Sequence, residues 1–235
     1  MKIICLCCFR NAHSYLPEFF SHLREYVDGF IVMNDRSDMA DDSIAVTLDL
    51  KVITMLRRRS QNYAPFAYEQ QNRRILLGEA GDEGADWVLC LDADERLELN
   101  FLRSMRELCE SRSTSVISVR VRDIWNKYGE FRTDGIWGNK RKSILFDLNY
   151  CDDYKNPPIG LHQPWVNTTI QPVEHTDFNL YHLGSATGPL RAKRVRQHNQ
   201  ADPDKRWQSI GYDYLAKEDG LTLESIPEER LWYAV

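Results

Sequence analysis

Short apolar runs alternate with amphipathic stretches along the N-terminal part of the chain. Four runs have the length and composition of buried strands: 3–8, 30–33, 52–56 and 87–91. Between them apolar side chains recur at helical spacing, which predicts three helices: 14–27, 43–50 and 68–79. Ser14 is the expected cap of the first helix. Strands that alternate with helices in this way predict a parallel, doubly wound α/β sheet.

The pattern changes after residue 94. An amphipathic helix is predicted over 97–109, and short strands follow at 115–121, 143–146 and 179–183. The stretch from 125 to 165 is rich in aromatic residues, glycine, asparagine and proline, which is typical of binding loops. Two polar helices are predicted at 191–200 and 204–215. No composition shift marks a linker, so we predict a single domain over 1–235.

Composition and charge exclude several classes of protein. The chain has 235 residues, of which 43% are hydrophobic and 28% charged, as in ordinary globular domains. Its net charge of −5 gives no indication of nucleic-acid binding. No apolar run approaches the roughly 20 residues needed to cross a bilayer. The apolar start lacks a small-residue cleavage site and therefore predicts a strand rather than a signal peptide.

The cysteines predict the redox environment of the chain. Six cysteines are present, and those at positions 5, 7 and 8 match no usual zinc spacing. Several others fall in predicted buried elements. We therefore expect free thiols and a cytoplasmic protein.

One stretch combines a buried strand with candidate chemistry. The run 87–91 ends abruptly at Asp92, Asp94 and Glu95. Side chains two residues apart on an extended segment face the same way, so Asp92 and Asp94 can converge on one divalent cation. The alternative interpretation is a solvated acidic turn, because this short pattern is common by chance.

Further polar residues follow the ends of other predicted strands. Asn11 follows the first strand, and Asn34 and Asp35 follow the second. In parallel sheets, ligands bind at the carboxyl ends of the strands. These residues and the acids at 92–95 therefore predict one binding site at that edge.

Taken together, the strand ends resemble those of family 2 glycosyltransferases. The resemblance lies in Arg10-Asn11, in Asn34-Asp35-Arg36-Ser37 and in Leu91-Asp92-Ala93-Asp94-Glu95, and is strongest toward the small bacterial and viral members. It implies a GT-A fold, a doubly wound and mostly parallel sheet with helices on both sides. It also implies a nucleotide-sugar-binding half at 1–112, an irregular acceptor-binding half at 113–185 and a C-terminal helical segment at 186–235.

The resemblance implies roles for individual residues, beginning at the donor. Asp35 would bind the nucleotide base, and Arg73 or Arg74 would face the nucleotide or its phosphates. Asn11 would complete the donor site. Asp92 would meet the ribose, or the metal through water.

The metal ion would be held by Asp94 and by His182, which matches the late histidine of many GT-A enzymes. A single histidine of this kind is otherwise often a hydrogen-bonded structural residue. Oxygen ligands suit Mg²⁺ or Mn²⁺, and an imidazole nitrogen favours Mn²⁺.

The implied reaction is an inverting, metal-dependent sugar transfer from a nucleotide-diphosphate sugar to an acceptor hydroxyl. The donor would be a UDP- or GDP-sugar, and the acceptor a glycan or glycoconjugate. Such a reaction needs a carboxylate that takes the proton from the acceptor. The candidates lie in the predicted acceptor half: Asp153, which we prefer, Asp134 and Glu174.

Other interpretations stay open. The chain could be a non-catalytic nucleotide- or sugar-binding module of the same fold. A nucleotidylyltransferase is disfavoured because no glycine follows the first strand at 9–13. The basic stretch 191–196 could close over a diphosphate or make, at most, a peripheral membrane contact.

Overall fold

A parallel sheet forms the N-terminal half of the molecule. The computed structural model describes residues 1–35, 52–58, 69–111, 114–150, 165–166 and 172–233; for 52–58 and Lys127 it describes the backbone alone. The first four strands are β1 (Ile3–Phe9), β2 (Gly29–Asp35), β3 (Val52–Arg58) and β4 (Trp87–Cys90). They lie side by side in the order β3-β2-β1-β4, and each neighbouring pair is parallel.

Helices cover both faces of these strands. They are α1 (Leu16–Leu23), α2 (Glu69–Asp82) and α3 (Leu99–Ser111). Successive residues of β1 point to opposite faces. Cys5 and its odd-numbered neighbours pack with α1 and α3, whereas Ile4 and Leu6 pack with α2. The predicted doubly wound arrangement is therefore confirmed.

Six further strands extend the sheet. They are β5 (Glu95–Leu97), β6 (Val116–Trp125), β7 (Lys127–Arg132), β8 (Arg141–Asp147), β9 (Val173–His182) and β10 (Leu223–Ser225). The order continues from β4 through β8, β6 and β7 to β10, in antiparallel pairs. β9 pairs with β6 in parallel and with β5 antiparallel. This last pairing brings the end of β9 beside the acids that follow β4.

Several predicted boundaries are wrong. α1 begins at Leu16 after Tyr15, and no side chain caps it, so Ser14 is not the cap. β3 continues through Arg58, two residues beyond its predicted end, because the backbone of Arg58 pairs with that of Asp35. The helix predicted over 43–50 lies outside the described residues.

The predicted C-terminal helical segment contains one α-helix within its described part, α4 (Gly188–Ala201). The second predicted helix, 204–215, is replaced by turns and a short 3-10 turn at Asp213–Leu215. The cause is the carboxylate of Asp202, which accepts three backbone N–H groups that a helix would use otherwise.

The described cysteines are free thiols, as predicted. Cys5, Cys7, Cys90 and Cys109 are buried, and burial raises the pKa of Cys109 to about 12. Over the described ranges, no helix combines the length and the apolar character needed to cross a membrane.

Candidate functional site

The acids that follow β4 lie at the carboxyl edge of the parallel strands. Asp92, Asp94 and Asn11 line one cavity of about 210 Å³, together with residues of α4. Asn11, two residues after the end of β1, adopts a left-handed backbone conformation (φ 52°). Asp35 ends β2 beside the end of β1, because Phe9 pairs with Asn34. The structure thus brings the predicted polar strand ends to one edge.

A chain of three side chains connects Asp94 to the interior. Asp94 Oδ2 lies 3.3 Å from His182 Nε2, and His182 Nδ1 lies 2.7 Å from Asp123 Oδ1. Asp123 is fully buried and is also bound by Lys140. Burial and Arg194 oppose protonation of the imidazole, but Asp94 and Asp123 together raise the pKa of His182 to about 9. Burial would raise the pKa of Asp94, yet His182 holds it well below its usual range.

Asp123 was not singled out by the sequence. The strand that carries it was predicted to end at residue 121, whereas β6 runs to Trp125. Parallel pairing places Asp123 directly beside His182. The available signal was an acid between Val121 and the apolar pair Ile124-Trp125, a pattern that fits a buried strand with one functional charge.

Gly184 leaves room in front of the Asp94–His182 pair. A methyl group at this position would overlap the Asp94 carboxylate and lie 2.9 Å from His182 Nε2. The backbone N–H of the preceding Leu183 donates to the carbonyl of Asp94 at 2.8 Å. The chain therefore passes close to both side chains without filling the space between them.

A second charged cluster surrounds Lys142, which the sequence also did not single out. Its Nζ lies 2.9 Å from Asp92 Oδ2 and 2.7 Å from both carboxylate oxygens of Glu95. Burial raises the pKa of Glu95 to about 7, although Lys142 opposes this rise. Burial would lower the pKa of Lys142, but Asp92 and Glu95 raise it above its usual range.

The interactions of Asp94 with His182 and of Asp92 with Lys142 determine which side chains could bind a metal ion. Among the described residues, no group of three or more His, Cys, Asp or Glu side chains is arranged to hold one. Asp92 binds Lys142, which leaves Asp94 and His182 as the paired donors. A carboxylate oxygen and an imidazole nitrogen held by a second carboxylate fit a divalent cation whose other ligands come from a bound substrate and water. The space beside Gly184 is consistent with that fit.

Cations surround the same cavity. Arg10, Lys193 and Arg194 line it with Asp94. Arg194 Nη1 donates to Ser185 Oγ at 2.5 Å and lies 3.8 Å from Asp123 Oδ1. The basic stretch of α4 noted in the sequence thus contributes two side chains to this site.

A second cavity of about 500 Å³ lies on the other side of Asp92. Arg73 lines it, is paired with Glu69, and places its guanidinium 5.3 Å from the centroid of the buried Trp165 ring. Arg74 is exposed and lines a separate surface depression, so the structure brings only Arg73 to the site. Lys140, Arg141 and Lys142 contribute further cations to this cavity.

The two base candidates that the structure describes, Asp134 and Glu174, line neither cavity. Asp134 forms a two-pronged pair with Arg132, at 2.7 and 2.8 Å, and lines neither one. Glu174 lies eight residues before His182 on β9, which corresponds to about 26 Å of extended strand. Asp153 lies outside the described residues.

The described aromatic residues of the stretch 125–165, which was predicted to form binding loops, are mostly interior. Trp125 and Trp137 are buried in one cluster, where Arg132 lies over both rings. Tyr128 is 57% exposed. Packing thus accounts for the two tryptophans of that cluster.

No protein-family model and no curated protein matches the chain in sequence. Solved structures do match. Fragment 1–349 of Staphylococcus aureus TarS in complex with UDP-GlcNAc has a TM-score of 0.55 and 12% identity, over 93% of this chain and 71% of that one. A longer TarS chain has the same TM-score and identity, over 86% of this chain and 40% of its own length. The structure of 4-diphosphocytidyl-2C-methyl-D-erythritol synthase has a TM-score of 0.51 and 16% identity, over 75% of this chain and 89% of that one.

At these identities, the comparisons concern the fold. The chain spans less than half of the longer TarS chain. The parallel strands with helices on both faces, extended by antiparallel strands, correspond to a GT-A-like α/β fold. The predicted α/β, GT-A-like fold is confirmed.

Proposed function

We propose that the chain is a glycosyltransferase that moves a sugar from a nucleotide-diphosphate sugar to a hydroxyl of a glycan or glycoconjugate. The observation that carries this proposal is the Asp94–His182 pair at the carboxyl edge, facing a cavity lined by cations. That TarS was solved with UDP-GlcNAc and with UDP, on a similar fold, supports a nucleotide-sugar donor. A UDP- or GDP-sugar remains our preferred donor.

The charges suggest how the donor would lie. Arg10, Lys193 and Arg194 are the cations nearest the Asp94 side of the edge and would bind the diphosphate. Asn11 and Asp35, at the ends of adjacent strands, would bind the nucleoside, and Arg73 would face it from α2. Asp92 would meet the ribose while Lys142 keeps it ionised.

Asp94 and His182 would hold a divalent metal ion, Mn²⁺ or Mg²⁺. Asp123 accepts the proton on His182 Nδ1, which orients Nε2 toward Asp94. When bound, the ion would neutralise the negative charge that develops on the leaving diphosphate. The imidazole nitrogen favours Mn²⁺ over Mg²⁺.

We keep an inverting transfer as part of the proposal, with Asp153 as the base that takes the proton from the acceptor. Asp134 is held by Arg132, and Glu174 lies toward the far end of β9, which makes both weaker candidates. Asp153→Asn would therefore be expected to lower turnover without weakening donor binding.

The decisive experiment is thermal unfolding with UDP, GDP, CDP and dTDP, each with and without Mn²⁺. A ligand at about a hundred times its Kd stabilises the folded state by roughly 2.7 kcal/mol, which gives a clear shift. We expect one diphosphate to raise the unfolding temperature only with Mn²⁺, and Asp94→Asn to abolish the shift. Asp177→Asn, an exposed acid on β9, is the matched control and should behave like the parent protein.

His182→Ala tests the role of His182 as the second ligand of the metal ion. It should reduce the Mn²⁺-dependent part of nucleotide binding more than the part measured without metal. Equal losses would make His182 a structural residue. If no diphosphate shifts the unfolding temperature, the proposal fails and a non-catalytic module becomes the better interpretation.

One observation favours a second candidate. The similarity to 4-diphosphocytidyl-2C-methyl-D-erythritol synthase would fit a nucleotidylyltransferase, which transfers the nucleoside monophosphate of a nucleoside triphosphate to a phosphorylated substrate and releases inorganic diphosphate. The glycine-free segment at 9–13 argues against it. Release of inorganic diphosphate from a nucleoside triphosphate and a sugar phosphate would support this alternative.

A further inference from the structure

Residues 202–212, which we call the 202–212 loop, follow α4. A buried side chain within this loop fixes its conformation. The Asp202 side chain is buried and its carboxylate accepts four hydrogen bonds. Three come from backbone N–H groups and one from a phenol: Arg206 at 2.7 Å, Trp207 at 3.1 Å, Gln208 at 3.2 Å and Tyr212 Oη at 2.9 Å. A single buried acid thus organises the loop.

The far end of the loop is fixed as well. Tyr212 is buried and its ring stacks on His198 of α4, with centroids 4.8 Å apart. Gln208 and Gly211 are joined by two hydrogen bonds, one from the Gln208 amide and one from the Gly211 N–H. Gly211 has φ of 72°, a conformation that favours glycine. The loop is therefore a built structure rather than an irregular connection.

This fixed loop exposes large apolar side chains. Trp207 is 43% exposed, and Ile210, at 74%, is the most exposed large apolar residue in the described part of the chain. Exposure of apolar side chains to water is unfavourable, and the exposed part of a side chain has no packing contact that offsets that cost. Trp207 and Ile210 are three residues apart on the same built loop, so both side chains can enter one membrane interface.

The charge around these side chains selects the partner. The exposed residues of 188–211 include four Lys and Arg and one Asp, a net charge of +3, whereas the whole chain carries −5. Arg206 lies beside Trp207, with its guanidinium 5.2 Å from the ring centroid. Lys193, Arg196 and Lys205 are exposed. Cations flanking exposed tryptophan and isoleucine match the interface of an anionic bilayer, where the rings enter the headgroup region and the cations meet phosphates.

We propose that the 202–212 loop docks the protein on an anionic membrane surface, with Trp207 and Ile210 inserted and Lys205 and Arg206 on lipid phosphates. α4 connects this loop to the candidate site, because Lys193 and Arg194 line the cavity beside Asp94. Docking would therefore hold that cavity near the membrane. This inference does not depend on the reaction proposed above.

The test is co-sedimentation of the full chain with phosphatidylcholine vesicles, with and without phosphatidylglycerol. We expect binding to the anionic vesicles that weakens with salt. Trp207→Ser with Ile210→Ser should reduce it about tenfold or more, since apolar insertion supports interfacial binding. Lys205→Gln with Arg206→Gln should remove most of the salt dependence. Asp202 bonds to backbone atoms of the loop, so these side-chain changes leave its scaffold intact.

Tyr150→Ser is the matched control, because Tyr150 is 59% exposed and lies with Met1 and Asp86 at the amino ends of β1 and β4, the opposite edge of the sheet. It should bind like the parent protein, and each variant should keep the parent unfolding temperature. The proposal is overturned if anionic vesicles are not bound, or if the loop and control variants lose binding equally. It is also overturned if the loop variants instead abolish a dimer seen by analytical ultracentrifugation, which would assign the surface to a second copy of the chain.

Discussion

Lys142 supplies a fixed positive charge where two carboxylates approach each other. Glu95 is buried, and its carboxylate is bound by Lys142 and by the backbone N–H of Asp92. Without the ammonium group, the Asp92 and Glu95 charges would repel in a partly dry site. The lysine therefore stabilises the turn that presents Asp94.

Lys142→Met should lower the free energy of unfolding by about 3 kcal/mol at pH 8, because removing one partner of a buried pair leaves the other charge unpaired. Chemical denaturation measures this directly. Adding Glu95→Gln should restore part of the loss, since the unpaired charge is then gone. Lys217→Met, at an exposed lysine, should change stability by less than about 0.5 kcal/mol. Equal effects of Lys142→Met and Lys217→Met would refute the role of the ammonium group.

Substitution of Gly184 tests whether a ligand uses the space beside Asp94 and His182. Gly184→Ala should abolish metal-dependent nucleotide binding, because the methyl group would occupy that space. It should also cost about 1–3 kcal/mol of stability through overpacking. Titration with nucleotide and Mn²⁺, together with thermal unfolding, separates the two effects.

The matched control is Gly78→Ala on α2, where an added methyl group meets no atom within 4 Å. Alanine in a helix interior should stabilise the fold by up to about 1 kcal/mol and leave binding unchanged. Retained binding in Gly184→Ala would mean that the ligand does not use this space.

One short and one long strand pairing assemble the candidate site. β5 has only three residues, yet it pairs Glu95 with His182 across a large separation in sequence. On its other side, β9 pairs His182 with Asp123 of β6. His182 is thus held between two strands that carry the acids around it.

The contact between α1 and β5 adds a pH-sensitive element. His22 Nε2 accepts the backbone N–H of Leu97 at 3.1 Å, and the backbone of Trp232 is a further hydrogen-bond partner. Burial, together with Arg96 on β5, lowers the pKa of His22 to about 4. The folded protein therefore holds this imidazole neutral at a pH where the unfolded chain protonates it.

The lowered pKa of His22 in the folded protein determines how stability changes with pH. The stability contributed by neutral His22 is complete above about pH 6.5 and is lost as the pH falls toward 4, by up to about 1.4 kcal/mol per pH unit. His22→Gln, which can still accept the Leu97 N–H group, should flatten the stability profile between pH 6.5 and 4. His13→Gln, at an exposed histidine, should leave it unchanged. Denaturant unfolding at several pH values measures both, and identical profiles for parent and His22→Gln would disprove the assignment.

The cavities at the carboxyl edge are lined by positive charges, although the net charge of the molecule is negative. The chain carries −5, yet the cavities at the carboxyl edge are lined by Arg10, Arg73, Lys142, Lys193 and Arg194. A cationic cleft in an acidic protein attracts anionic ligands locally and repels polyanions elsewhere. The distribution is consistent with a small diphosphate ligand.

Much of the fold could be predicted from the chain itself. The four N-terminal strands, the two described helices between them and the position of Asp92 and Asp94 at a strand end all follow from local periodicity. Local patterns suffice because strand and helix periods are set within a few residues. The second C-terminal helix was predicted wrongly because Asp202 competes for backbone N–H groups, an effect that hydrophobic spacing does not report.

The sequence by itself therefore determined the class of fold, the edge where the site lies and the acids that begin it. Only the tertiary structure decided that Asp123 orients His182, that Lys142 forms an ion pair with Asp92, and that Arg73 rather than Arg74 faces the site. Each of these depends on the register between strands far apart in the chain, or on which face of a helix is covered. The β4–β8 register, for example, pairs Leu89 with Leu145, and Lys142 on the same strand as Leu145 reaches Asp92 just after β4. Such registers are selected by the packing of the whole core, so no local stretch of residues contains them.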